Sequence, residues 1–414
     1  MPAKCAAPRA TAHLSQEYRT PAWEQRKLGD VARRVTRKNE NRDSDLPLTI
    51  SAQYGLVDQR TFFNNQVASK DMSGYFLLHK GEFAYNKSTS TDSPWGAIKR
   101  LEKYDMGCVS TLYICFELLS GDPDFLVTYY ETDRWYKAVQ LIAAEGARNH
   151  GLLNIAPDDF FETQICIPKR IDEQRQIGAF FDRLDSLITL HQRKYDKLCV
   201  LKKSMLDKMF PKGGSLYPEI RFAGFTDPWE QRKLGDILQE RNVRTSDFES
   251  NPIFSLTIED GITPKTDRYE RTSLITKTED LFKIVSPNEF VTNPMNLRFG
   301  AFGYNKNSFS VCVSGYYDVF SIDNDKCSGF WNSYFKTSVA LKRFDDAATG
   351  SLIEKRRVKY STLCQLIFLM PKGMDEKKRI GAFFDRLDSL ITLHQRKLEL
   401  LRNIKKSMLD KMFV

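Results

Sequence analysis

The residues that could do chemistry mostly stand at the wrong spacings for it. Amino-methylating enzymes carry an Asn/Asp-Pro-Pro-aromatic tetrapeptide; Asn293-Pro294-Met295-Asn296 lacks the second proline and the aromatic ring. A nuclease of the Pro-Asp…Glu-x-Lys type would begin at Pro157-Asp158, but Glu162-Thr163-Gln164 supplies no lysine. No Gly-rich phosphate loop of the GxxxxGK[ST] kind, no dinucleotide fingerprint after a strand and no HExxH pair is present. The eight cysteines are Cys5, Cys108, Cys115, Cys166, Cys199, Cys312, Cys327 and Cys364. They form no CxxC pair and no Cys/His cluster at ligand spacing. Several lie in apolar runs such as YICF and QICIP, where cysteine serves as a small buried hydrophobe. This usage reads as a reducing, cytoplasmic compartment. His191 and His394 occupy matching places in a repeated block and read as packing or register residues, not ligands. Such a chain is expected to bind, with no catalytic residue, metal or cofactor of its own.

The elements that position these residues are organised by an internal duplication. WEQRKLGD occurs at Trp23–Asp30 and again at Trp229–Asp236, and GAFFDRLDSLITLHQRK at Gly178–Lys194 and again at Gly381–Lys397. Extending the second block to Phe210 and Phe413 aligns 33 positions, of which 27 are identical. Residues 31–170 and 237–372 share only a faint skeleton: Glu82-Phe83 with Glu289-Phe290, Gly96-Ala97 with Gly300-Ala301, Val109-Ser110 with Val313-Ser314. A near-identical frame around dissimilar interiors suggests one geometry serving two different jobs; faster drift of surface-rich interiors is the plainer alternative. The interiors read as mixed α/β, with strand-like runs such as FAYNK, STLYICFEL, FSVCVSGYYDVFSI and CQLIFLM broken by Gly, Asn and Pro turns.

The repeated block itself predicts a long helix. From Ile177 the seam steps by four and three through Phe181, Leu184, Ile188, His191, Tyr195, Leu198, Lys202, Met205 and Met209. The second copy runs Ile380, Phe384, Leu387, Ile391, His394, Leu398, Leu401, Lys405, Met408 and Met412. Asp172 and Asp375 suit the exposed N–H groups at each helix start. The 33 aligned residues give a rod of roughly 50 Å. The simplest way to bury both seams is antiparallel pairing within one molecule, through Phe181, Leu184, Ile188 and His191 against Phe384, Leu387, Ile391 and His394; pairing between molecules is the competitor.

Composition sets the remaining bounds. At 414 residues the chain suits two or three domains of about 100–200 residues. With 41% hydrophobic and 12% aromatic residues it can bury substantial cores, which excludes a wholly disordered chain. No apolar run approaches the ~20 residues that span a bilayer, so a soluble protein with no membrane partner is expected. Lys+Arg 62 against Asp+Glu 53 leaves a net charge of +9, which favours a polyanionic partner. The first twenty residues lack the apolar core of a secretory signal and read as a frayed tail, with a transit peptide as the alternative.

Two unlike domains, each followed by a repeated long helix, closely resemble the specificity (S) subunit of type I restriction–modification enzymes. The duplicated WEQRKLGD, the duplicated IGAFFDRLDSLITLHQRK helix in its two variants, and the string YNKS…SPWGAIKRL…STLYICFEL carry the resemblance over residues 21–414. It implies an α+β chain. Two tandem mixed α/β target-recognition domains in pseudo-twofold arrangement would be joined by two long helices in an intramolecular antiparallel coiled coil. The divisions would be a tail (1–20), the first recognition domain (21–170), a central helix (171–211), a linker (212–228), the second recognition domain (229–372) and a final helix (373–414). Each domain would read half of a bipartite site on double-stranded DNA. The helices would act as a ruler and dock two modification subunits, which methylate adenine N6, with restriction subunits added. The subunit itself catalyses nothing in that family. The alternative is a self-contained nuclease or methyltransferase with a cryptic active site; a protein-binding scaffold is a third reading.

Lys and Arg neutralise phosphates, while Asn or Gln suit adenine and Arg suits guanine. On that basis the expected DNA contacts are Asn86, Lys87, Ser88, Lys99 and Arg100 in the first domain. In the second they are Asn293, Asn296, Arg298, Asn305 and Lys306. Turn asparagines also satisfy backbone groups, which is the plainer role for Asn86 and Asn293.

Overall fold

The computed structural model describes residues 23–51, 54–63, 68–91, 93–143, 151–265, 281–323, 326–351 and 356–413. It divides into two compact units, Met1–Leu190 with Leu398–Val414, and His191–Lys397. The expected tail, residues 1–20, lies outside the described residues.

In the first unit a four-stranded antiparallel sheet runs in the order Ala32–Arg34, Ile114–Leu118, Phe83–Asn86, Ala97–Arg100. Strand residues alternate between two cores, as a pleat with period two requires. Phe83, Tyr85, Ile114 and Phe116 face a core shared with Phe125, Tyr129, Phe160 and Phe181. Ala84 and Cys115 face a second core with Leu48, Leu56, Phe76 and Leu78. That second core is completed by the hairpin Leu48–Ser51 with Gly55–Asp58, and by the pair Phe76–His79 with Met106–Val109.

The second unit repeats this topology with different residues. Its sheet runs Leu238–Arg241, Asp318–Ile322, Phe290–Thr292, Phe302–Tyr304. Phe290, Phe302, Phe320 and Ile322 face the larger core, and Val291 and Val319 the smaller one. Gly96 and Gly300 adopt φ of +80° and +94° just before the sheet's edge strand, a left-handed conformation that a side chain resists. Their pairing in the sequence therefore marks one backbone requirement met twice.

The duplicated motif WEQRKLGD closes each domain. Glu24–Lys27 pairs antiparallel with Gln164–Ile167, and Glu230–Lys233 with Ile367–Met370. Leu28 and Leu234, both fully buried, continue the ladder by donating N–H to Thr163 O (2.9 Å) and Leu366 O (2.8 Å). A long helix follows each closing strand: Ile171–Lys208 and Met374–Met412. Acidic residues occupy both first turns, Asp172 and Glu173 in one, Asp375 and Glu376 in the other, where they complement the helix dipole. No helix among the described residues is long and apolar enough to cross a membrane.

Candidate nucleic-acid interface and helix seam

Each long helix is locked to its domain by the same aromatic nest. In the first unit the Trp23 indole donates to Glu173 Oε1 at 3.1 Å and packs edge-on against Phe125 (5.7 Å) and Phe413 (5.5 Å). Phe413 also meets Phe125, Tyr129 and Phe181 at 5.6, 6.2 and 6.2 Å. In the second unit Trp229 donates to Glu376 Oε1 at 3.3 Å and meets Phe330 (6.0 Å) and Phe210 (6.1 Å). Phe210 in turn meets Phe330, Tyr334 and Phe384 at 5.7, 4.7 and 5.9 Å. The last aromatic of each repeated block thus fills the nest built by the other block's N-terminal half. Gly178 and Gly381 let the nest form: a Cβ at either would stand 2.7 Å from the backbone N of Phe125 or Phe330. The helix that supplies Phe125 starts at Pro123 because Asp122 accepts from Phe125 N (2.9 Å) as an N-cap.

Polar groups complete the seam. In the first unit Lys405 Nζ bridges Asp185 (2.6 Å) and Glu131 (2.7 Å). Burial pulls the Lys405 ammonium down, but the two carboxylates outweigh it and hold the group above its ordinary value. Burial raises the Asp185 carboxyl despite Lys405. In the second unit the equivalent Lys202 Nζ lies 2.6 Å from Asp388. Also there, His191 Nδ1 and His394 Nδ1 stand 2.8 Å apart, so one ring donates and the other accepts. The partners run in opposite senses along the chain: 191 with 394 and 202 with 388 in one unit, 181 with 413 and 185 with 405 in the other. Phe181, Leu184, Phe384 and Leu387 are buried, and Ile188 and Ile391 half-buried.

The residues expected to touch DNA fall into two groups. Asn86 and Asn293 serve turns: Asn86 Oδ1 accepts from Ser88 N (3.0 Å) and Asn293 Oδ1 from Met295 N (3.1 Å). Ser88 and Asn296 are exposed at these turns. Lys87 Nζ donates to Ile155 O (3.2 Å), and burial lowers its ammonium pKa. Lys99 lies 3.7 Å from Glu131, Arg100 pairs with Asp124 (2.6 Å) and Glu102 (2.8 Å), and Arg298 with Asp345 (3.1 Å). Lys306 reaches Asp385 on the second long helix at 3.2 Å. Asn305 corrects the expectation placed on it. It is 1% exposed, and its Nδ2 donates to Val285 O and Phe309 O at 2.9 Å each, so it holds a buried turn and presents nothing to a base.

The sequence reading passed over Glu131, the Trp–Glu hydrogen bonds and the nest around Phe210 and Phe413. The signal was available: the two blocks end in the same Met-Phe, beyond the point where a solvated helix tail needs apolar residues. It also passed over an open cleft in the second unit lined by Pro294, Tyr316, Asp318, Arg357, Lys359 and Tyr360. Burial raises the Asp318 carboxyl there. Among the described residues no group of three His, Cys, Asp or Glu side chains is placed to hold a metal ion.

Two sheet-rich units, each with a repeated long helix, make an α+β fold that solved structures share. The S subunit of the type I restriction–modification system from M. genitalium shares it, at a TM-score of 0.55 and 14% identity over 96% of this chain and 98% of that one. The HsdS subunit from Thermoanaerobacter tengcongensis aligns at a TM-score of 0.41 and 16% identity, over 95% of this chain and 97% of that one. A chain from a structure of complex assembly and conformational transition in a type I R-M system aligns at 0.44 and 15%, over 95% and 98%. No family model and no curated protein matches the sequence.

Proposed function

We propose that this chain is the sequence-specific DNA-recognition subunit of a type I restriction–modification complex. The observation that carries this reading is the pairing of one topology and one helix junction with two dissimilar interiors. A frame repeated so closely supports two modules held in equivalent ways, and unlike interiors support two different half-sites of a bipartite target. Exposed turn residues Ser88 and Asn296 and the cleft around Arg357 and Lys359 are the first candidates for base and phosphate contact. The residues 21–170 and 229–372 are the recognition domains, and the helices after them pair antiparallel as a coiled coil that docks two modification subunits and, through them, restriction subunits. Adenine-N6 methylation and cleavage belong to those partners, as does any S-adenosylmethionine; this chain needs no cofactor and works in the cytoplasm.

Replacing residues 31–170 with the interior of a related subunit tests the reading. Methylome sequencing should show one half-site changed and the other intact. A change of both halves together would sink independent reading. Incubating the isolated chain with duplex DNA, Mg²⁺ and S-adenosylmethionine separates the enzymatic alternative: methyl transfer or cleavage without partners would establish it. Binding to duplex DNA should weaken linearly in log affinity against log salt, as phosphate neutralisation requires.

A further inference from the structure

The last row of the main sheet differs in kind between the two units. In the first, Tyr85 pairs with Ile114, next on the face after Phe83 and Phe116, and the two are 0% and 2% exposed. In the second, the row after Phe290 and Phe320 pairs Thr292 with Asp318. Residues directly opposite in an antiparallel pair share one face of the sheet. A hydroxyl and a carboxylate therefore stand where the first unit continues its apolar core.

Neither group is satisfied in the way such a place demands. The Thr292 hydroxyl is fully buried and has no hydrogen-bond partner among the described residues. Asp318 is half-buried and lines the open cleft of the second unit, about 370 Å³ in volume. Its carboxylate accepts from the Tyr360 N–H; burial raises its pKa, Lys283 lowers it and Glu240 raises it. Lys283 Nζ is itself held by Tyr317 O at 2.8 Å, and Asp318 forms no ion pair among the described residues. Arg357 and Lys359 line the same cleft, both exposed, their side chains without a hydrogen bond or ion pair among the described residues. The first unit has Asn154 and Ala156 in those places, just before the equivalent short helix. A carboxylate in place of a core isoleucine weakens a fold. Such a departure is expected where a ligand supplies the compensation.

The charge pattern selects that ligand. A free phosphate would meet Asp318 and Glu240, and a bare cation would meet Arg357 and Lys359. The edge of a duplex offers both signs, phosphates outside and amine donors within the groove. We propose that Asp318 is a specificity-determining residue of the second recognition domain, its carboxylate accepting from the N4 amine of a cytosine while Arg357 and Lys359 hold flanking phosphates. Adenine sets its N7 acceptor beside the N6 amine, which a carboxylate, itself only an acceptor, repels. The proposal rests on the DNA-recognition reading above and names one base contact within it.

The full chain should be used to select duplexes from a randomised DNA library, and the enriched sequences read. The native chain should enrich a bipartite motif with a fixed cytosine in one half. Asp318→Ile installs the first unit's residue, so the second unit should melt no lower. Preference at that single position should vanish, and affinity for the native motif should fall about 10–100-fold. Asp318→Asn should move the preference from cytosine to adenine, because an amide both donates to N7 and accepts from N6; a carboxylate with a structural role alone would produce no such move. Lys359→Ala should weaken binding to all sequences alike and lower the salt slope by about one. A motif unchanged in both Asp318 variants, a change in both halves, or an altered position that is not cytosine in the native motif would overturn the proposal and leave the recognition reading standing. A native chain that enriches no bipartite motif would remove that reading, and the proposal with it.

Discussion

At the foot of the first long helix, Gln174 Oε1 accepts from Asp122 N (2.9 Å) and its Nε2 donates to Pro168 O (2.8 Å). At the same place in the second, Lys377 Nζ pairs with Asp323 at 2.7 Å and lies 5.3 Å above the Trp331 ring. A neutral amide and a buried ion pair do one job at equivalent positions. Around them the aromatic nest and its glycine do not vary: Trp23, Phe181, Gly178 and Phe413 answer Trp229, Phe384, Gly381 and Phe210. The difference is physical. A buried polar group needs only a partner, and several pairings supply one. Shape complementarity between rings and a backbone 2.7 Å from a missing Cβ leaves no second solution.

The largest break in this comparison comes from emptying one nest at a time. Phe210→Ala removes a ring that is 2% exposed from the second unit's core, and should cost that unit about 3–5 kcal/mol. Phe413→Ala should do the same to the first unit and spare the second. Hydrogen exchange resolved by peptide measures both, and equal loss of protection in the two units with either variant would refute the assignment of each ring to one nest.

The next effect separates the polar solutions. Lys377→Ala strands Asp323, which among the described residues keeps the Trp331 indole at 2.9 Å, and should cost about 3 kcal/mol. Gln174→Ala uncovers one backbone N–H and one carbonyl and should cost about 1–2 kcal/mol. Denaturant unfolding of the two variants checks the order; a Gln174 loss larger than the Lys377 loss would reverse it.

The helices, the α+β class and the frame were readable because their signals are local or repeated. The four-three apolar steps from Ile177 need no partner to be recognised, and WEQRKLGD declares itself by recurring. What hid was non-local. Nothing near Phe413 in sequence shows that it fills a pocket made by Trp23 and Phe125, nearly four hundred and three hundred residues earlier. Asn305 misled because an asparagine after a strand has the same composition signal whether its amide faces solvent or, as here, two buried carbonyls. Lys99, Arg100 and Lys306 each meet a carboxylate distant in sequence, Glu131, Asp124 and Asp385, which no local signal announces.

The smallest effect is set by pH and confined to the second unit. Burial, then His394, Lys397 and Lys194, hold the His191 imidazole below its ordinary value, and all of these charges lie on the two paired helices. The unfolded chain takes up the proton at about pH 6.5, above the folded value. Stability is therefore complete above that pH and declines as pH falls through it, levelling off once the folded ring is also protonated. Double protonation also removes the acceptor in the 2.8 Å Nδ1–Nδ1 contact. The first unit should show the opposite sign and at lower pH, because burial raises Asp185 and its folded form holds the proton more tightly than the unfolded chain does. Thermal unfolding followed by unit-specific exchange should thus show only the second unit weakening between neutral and mildly acidic pH. A His191→Leu, His394→Leu variant should lose that slope, and its persistence in the double variant would place the titrating group elsewhere.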